Sequence, residues 1–393
     1  MAVTSESRYG LIIGGEEGPG TTGSHSPVLD PASNQPFAEV AVGGADDARR
    51  ALESADKAFR ESNWAGGDGS QRTKALLRLA QALEAEVDRF AALETRNVGK
   101  TLREAKGDIQ FTVRTLEYVA GLADKIEGEC IPVPGGRLDY TLREPLGPTV
   151  HIAPWNFPLV LAIRSVAPAL AAGNSVVLKP ASLTPLTALA FARLARGAGI
   201  PPGILNVVVG SGREVGETLL TDPRTRAISF TGSVEVGQRV AELAGARHVP
   251  VTLELGGKGP VVVFPDADLD RAAKGVVWGI YDNAGQMCWA GSRLLVHQSI
   301  QESFVGKVRA LAEKLKVGPG LEAGIEMGPL VSPDQLERVT GFVEEARRDG
   351  GRIVTGGTRL TDPARAAGNF LAPTIVEGLG PEHRILREEI FGP

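Results

Sequence analysis

The sequence predicts an α/β protein: a doubly wound parallel sheet joined to a second α/β unit. Three observations predict it. Candidate strands and helices alternate from Pro148 onward, a second alternating set follows Gly257, and glycines cluster where strands end, as at Gly210, Gly212 and Gly216. The length of 393 residues exceeds one ordinary domain. An apolar share of 42% with 23% charged residues can bury a large core. The net charge of −5 argues against a nucleic-acid scaffold or a polybasic membrane binder. Gly 49 and Pro 26 are dispersed, which reads as many tight turns rather than disorder. The 2 cysteines exclude a disulfide scaffold and point to a reducing compartment. The 5 histidines lie far apart, so no metal site is expected. Leu11–Ile13 is too short for a signal-peptide core, and Arg164, Pro168, Gly173 and Asn174 interrupt the apolar stretch 159–178. A cytoplasmic protein without a membrane span is the expectation.

The elements follow in order. Ala45 to Glu61 reads as an alanine-rich helix. Leu76, Leu79, Leu83 and Val87 place an apolar stripe on a helix over 71–97, and a third helix is expected over 102–125. Cys130 to Glu144 reads as a β-hairpin turning at Gly135-Gly136. Strands are then expected at 149–153, 175–178, 205–209 and 227–230, with helices at 159–172, 185–196 and 234–244. After a boundary near Gly256-Gly257 come strand 261–264, helix 269–281, strand 294–296 and helix 301–315.

Several residues carry chemistry. Cys288 lies among small residues in NAGQMCWAGSR, where a substrate could approach the sulfur; an isolated cysteine is more often a small buried hydrophobe. Cys130, in the hairpin, reads as structural. Glu254 ends the run VPVTLE before two glycines, which suits a general base with room to move and equally suits a solvated strand end. Pro154 and Pro158 hold Asn156 between strand and helix, where its amide could donate to an oxyanion or serve as a cap. Lys179 ends a strand in LKPAS, at the edge where doubly wound sheets bind nucleotides. Ser233, in FTGS, opens a helix and suits either a phosphate or an ordinary N-cap. The run 210–216 misses G-x-G-x-x-G by one residue and reads equally as a turn.

Taken together, PWNFP, KPAS, FTGS, ELGGK, GQMC and EEIFGP occur in an order that resembles the NAD(P)-dependent aldehyde dehydrogenase superfamily, over essentially the whole chain. The resemblance implies a Rossmann-like NAD(P)-binding domain from 1–126 and 146–256, an oligomerisation hairpin at 127–145, and a catalytic domain at 257–393. It implies Cys288 as nucleophile, Asn156 with the Cys288 N–H as oxyanion donors, and Glu254 as the base that hydrolyses a thioester intermediate to the free acid. Lys179, Ser182, Trp155, Gly232, Ser233, Gly256, Glu389 and Phe391 fall at cofactor positions, Phe157 and Arg164 at the aldehyde entrance. NAD-preferring members often carry glutamate where this chain has Ser182, so NADP is expected beside NAD.

Arg164 stands where semialdehyde enzymes hold the substrate carboxylate, yet their second arginine, six residues before the cysteine, is Asp282 here. A broad aliphatic or aromatic aldehyde is therefore expected ahead of a semialdehyde, and Arg164 equally suits helix packing. Family chains continue beyond EEIFGP, whereas this one stops at Pro393. The expectation is a C-terminally truncated member whose homodimer or homotetramer is compromised. The competing reading is a non-catalytic member that binds nucleotide or only associates. A cysteine hydrolase is disfavoured because His297 is a poor partner for the thiol.

Overall fold

The computed structural model describes residues 8–393. Residues 1–7, where the first expected domain begins, lie outside the described residues. The chain forms two compact units: one from 8–27, 38–90 and 107–254, the other from 28–37, 91–106 and 255–393. Segments 28–37 and 91–106 thus group with the second unit, whereas the motif-based partition assigned them to the first.

The first unit is built on a seven-stranded sheet, in spatial order Val251–Leu255, Ala227–Gly232, Pro148–Ile152, Ser175–Lys179, Leu205–Val207, Leu11–Ile13 and Glu16–Gly18. The four strands from Ala227–Gly232 to Leu205–Val207 run parallel, and Leu11–Ile13 pairs antiparallel to them. Every residue of Ser175–Lys179 is buried, the mark of a central parallel strand covered on both faces. Helices Pro158–Ala171 and Leu186–Gly197 follow their strands, and Gly69–Ala85 packs against both. Leu76, Leu79 and Leu83 are fully buried along one stripe of that helix.

The expected helix 71–97 is two helices, Gly69–Ala85 and Val87–Val98, because the backbone of Glu86 leaves helical geometry. The expected helix 102–125 ends at Ala120, just before Gly121. The 205–209 strand stops at Val207, and the 301–315 helix stops at Ala312. The hairpin has only two paired residues on each side, Cys130–Ile131 and Asp139–Tyr140, with Gly135 and Gly136 at positive φ in the turn. The strands before residue 45, among them Arg8–Tyr9 and Gln35–Ala41, had no counterpart in the sequence reading.

The second unit carries parallel strands Pro260–Val263 and Arg293–Val296. Helices Leu269–Tyr281 and Gln301–Ala312 pack together, enclosing Val263, Ala273, Val276, Phe304 and Val308. A longer helix, Pro333–Arg348, and an antiparallel pair, Arg352–Thr355 with Ile375–Glu377, complete it. Among the described residues no helix is long and apolar enough to cross a membrane.

Candidate active site

In the first unit the candidate residues gather where parallel strands end. Pro158 occupies the first turn of its helix, where a missing N–H costs nothing, and the Leu161 N–H donates to the Phe157 carbonyl at 2.9 Å. This turn buries Asn156 to 3% exposure and leaves Trp155 and Phe157 half-buried. The Thr184 hydroxyl donates to the Trp155 carbonyl at 3.3 Å, tying the turn to the next strand-to-helix joint. Lys179 closes its strand at 6% exposure, and burial pushes its ammonium down to about 8. Such a cation is costly to leave buried without an anionic or hydroxyl-rich partner. Ser182 is exposed and donates to the Gly210 carbonyl at 3.1 Å.

Ser233 caps the helix Val234–Gly245, accepting the Val236 N–H at 3.3 Å. A Cβ on Gly232 would sit 2.6 Å from Phe230 Cζ, so this joint admits no side chain without a shift. The run 210–216 is a single wide helical turn over Gly212–Gly216 rather than a phosphate loop or a simple turn: Ser211 caps it by accepting the Glu214 N–H at 3.0 Å, and Glu214 Oε1 accepts the Ala45 N–H at 3.3 Å.

Arg164 faces Glu254, with Nη1 to Oε2 at 3.6 Å, and also donates to the Thr231 hydroxyl at 3.3 Å. The two side chains are 43% and 53% exposed, so the pair orients more than it stabilises. This contact was not legible in the motif, which offered only helix packing or a substrate carboxylate.

Cys288, Gly256, Glu389 and Phe391 belong to the second unit. Cys288 is half-buried and follows a segment of left-handed backbone: Asn283 (φ 47), Ala284 (φ 53) and Gly285 (φ 73). Asparagine and glycine accept this region, but alanine there costs about 1–2 kcal/mol, so other contacts must hold it. They are on view. The fully buried Gln286 donates to the Asn283 carbonyl at 2.9 Å and accepts the Val331 N–H at 2.9 Å. The Asn283 N–H donates to Glu104 Oε1 at 2.9 Å, and Tyr281 donates to the Thr374 carbonyl at 3.2 Å. Glu104, remote in sequence, escaped the sequence reading, and Gln286 was quoted there only as part of the GQMC motif, with no role given to it.

Glu389 lies against Gly256 and Gly257. Its Oε1 accepts the Gly257 N–H at 3.4 Å, and a Cβ on Gly256 would sit 2.2 Å from Oε2. Burial pushes the Glu389 carboxyl up, opposed by the Gly257 N–H, Arg338 and Lys258. Lys258 was also missed. Its Nζ is buried with no hydrogen-bond partner among the described residues, and burial, then Arg293, pushes it down to about 8 while Glu389 pulls it up. Gln335 Nε2 donates to the Phe391 carbonyl at 2.7 Å, holding Phe391 at φ 63. Gly257, Gly285, Met287, Glu389 and Phe391 line a cleft of about 120 Å³.

Glu345, Asp349 and His383 bring ligand atoms within 4.8 Å of one another. Both ring nitrogens of His383 are engaged, however. Nδ1 accepts the Ile385 N–H at 3.2 Å, and Nε2 faces Asp349 at 3.1 Å. The histidine is therefore a helix cap braced by a carboxylate.

A parallel sheet with a buried lysine and glycine joints at its carboxyl edge defines a nucleotide-binding α/β protein, and the braced cysteine loop adds a candidate nucleophile. The family model described as "Aldehyde dehydrogenase family" matches residues 19–393. A putative aldehyde dehydrogenase from Burkholderia cenocepacia is 40% identical, with TM-score 0.95, over 98% of this chain and 78% of that one. The Bacillus cereus aldehyde dehydrogenase in its NAD+ complex is 36% identical, with TM-score 0.96, over 99% and 78%. An NAD-dependent aldehyde dehydrogenase from Sinorhizobium meliloti is 37% identical, with TM-score 0.95, over 100% and 79%. The chain belongs to the aldehyde dehydrogenase family.

Proposed function

We propose that this chain oxidises an aldehyde to its carboxylic acid through covalent attachment to Cys288. The observation that carries the reading is the braced loop at 283–286, which fixes the backbone two residues before a half-buried thiol in a chain of this family. The Cys288 thiolate adds to the carbonyl carbon, forming a C–S bond and an alkoxide. The Asn156 amide and the Cys288 N–H donate to that oxyanion. A bound NAD or NADP would supply the hydride acceptor that the collapse of the alkoxide to a thioester requires. Glu254 takes a proton from water, the hydroxide adds to the thioester, and the C–S bond breaks to release the acid and the thiolate.

Lys179 fits such a cofactor because its buried ammonium needs hydroxyl or anionic partners. Ser182, Trp155, Gly232 and Ser233 would bind beside it, with Gly256, Glu389 and Phe391 toward the reacting end. The exposed Ser182 places no carboxylate against a 2′-phosphate. NADP should therefore support kcat/KM within about tenfold of NAD, and Ser182→Glu should lower the NADP value by roughly ten- to a hundredfold through like-charge repulsion. Strict NAD preference in the unaltered chain would overturn this.

Phe157 would line the aldehyde entrance. Arg164 already faces Glu254, which supports neutral aliphatic or aromatic aldehydes over semialdehydes. The functional test is reduced-cofactor formation from short aliphatic, aromatic and semialdehyde substrates with both cofactors. Absence of turnover in folded protein would favour a non-catalytic role.

The same reading makes the hairpin a contact between copies, since Leu138, Tyr140 and Leu142 stand exposed on it. Sedimentation should show a dimer or tetramer, shifted toward monomer by Leu138→Ser with Leu142→Ser. A monomeric unaltered chain would refute that role.

A further inference from the structure

In the second unit two large aromatic rings stand uncovered beside the thiol. The chain has 4 tryptophans. Trp64 is buried and Trp155 half-buried, whereas Trp278 and Trp289 are 56% and 54% exposed. Their ring centroids lie 5.7 Å apart, with the planes tilted by 44°. That spacing is one at which aromatic pairs attract, so each ring supports the other while much of both stays open to solvent.

The backbone holds this pair next to Cys288. The helix Leu269–Tyr281 carries Trp278 in its last turn. The Met287 carbonyl accepts the Ala290 N–H at 3.1 Å, which makes Cys288 and Trp289 the two central residues of one tight turn. The Gly291 N–H donates to the Gly279 carbonyl at 3.1 Å, satisfying one of the last carbonyls of the helix. The turn is thus fastened to the helix one residue past Trp278. Indole rings left in water gain by being covered, and rings already fixed in place lose little freedom when a ligand covers them.

We propose that Trp278 and Trp289 form an aromatic platform for the group attached to the reacting carbonyl, and that the substrates are aryl aldehydes. The proposal rests on the reading of Cys288 as the nucleophile and narrows its substrate class. Neighbouring α-carbons are about 3.8 Å apart, so a ring bonded to a carbonyl carbon on Sγ starts within one side chain's length of the Trp289 indole. A planar aryl ring presents a π face that can stack there, whereas an alkyl chain presents area alone.

The experiment follows alkylation of Cys288 by iodoacetamide in the full chain, read by peptide mass spectrometry, with increasing amounts of an unreactive amide. Benzamide carries the aryl ring, and cyclohexanecarboxamide carries a saturated ring of like size. Each chain is compared with itself without amide, so any change in thiol reactivity cancels. In the unaltered chain benzamide should half-protect Cys288 at a concentration roughly three- to tenfold below that of cyclohexanecarboxamide, the scale of one aromatic contact. Trp278→Ala and Trp289→Ala should erase this selectivity, and Trp278→Phe and Trp289→Phe should keep most of it. Equal protection by the two amides, or selectivity that survives both alanine changes, would overturn the proposal. The first comparison needs only the unaltered chain, so it decides even where a variant fails to fold. In turnover, Trp278→Ala should raise KM for benzaldehyde about tenfold and leave that for propanal within about twofold. An equal rise for both would count against the platform as well. Labelling requires no hydride transfer. Failure of the catalytic reading would therefore appear separately, as absent cofactor reduction with ring-selective protection intact.

Discussion

Replacing Cys288 with alanine is expected to abolish aldehyde-dependent cofactor reduction, by roughly 10⁴-fold or more, while leaving cofactor binding intact. The size follows from the chemistry. A free aldehyde carries no negative charge to expel a hydride, whereas the alkoxide formed on sulfur does. The residues that flank Cys288 in the sequence, Gln286, Met287, Trp289, Ala290 and Gly291, bring no second nucleophile with them. Cofactor fluorescence titration separates the two effects. Turnover that survived the substitution would remove Cys288 from the mechanism and reopen the question of what attacks the carbonyl. Cys130 is a fitting control because it is the other cysteine of the chain and is exposed on the hairpin.

Glu254→Gln should give a different signature: one equivalent of reduced cofactor per site in a fast burst, followed by turnover slowed about 10²- to 10⁴-fold. Hydride transfer precedes the step that needs the base, so the acyl group should accumulate on sulfur. Intact-protein mass spectrometry at the end of the burst would show that added acyl mass, and hydroxylamine should release it. A variant that loses the burst together with turnover would assign Glu254 an earlier role. Glu254 is suited to moving water because its side chain is exposed at the penultimate position of its strand, one residue ahead of Gly256-Gly257, and its resting contact is the long 3.6 Å approach of Arg164.

The parallel core was legible because it is encoded locally. Ser175–Lys179 is an unbroken buried run, and Leu269–Tyr281 carries a helical stripe whose ends fall where periodicity placed them. The breaks were not. Nothing in composition announces that Glu86 interrupts an apolar stripe, since glutamate is a good helix former and the kink is a tertiary event. The two-residue strands of the hairpin, with Arg8–Tyr9, Leu11–Ile13 and Glu16–Gly18, are too short to show alternation, and His25–Asp30 and Gln35–Ala41 are long enough but were passed over.

The candidate site divides in the same manner. Cys288, Glu254, Asn156 and Lys179 could be singled out as candidates because each sits in a compact motif. The Arg164–Glu254 approach spans 90 positions, and the Glu104 contact with the Asn283 N–H spans 179, so neither leaves a mark in any short window.

That long-range contact bears on how the protein is made. Glu104 emerges from the ribosome long before Asn283, and so do residues 28–37 of the same compact unit. The early segments of the second unit must therefore wait, unsatisfied, while the intervening sheet is synthesised. Closing the cysteine loop is then a late event of high sequence separation, which loop-closure entropy makes slow. A nascent chain would hold a nearly finished parallel sheet before the segment that carries Cys288 had a fixed place.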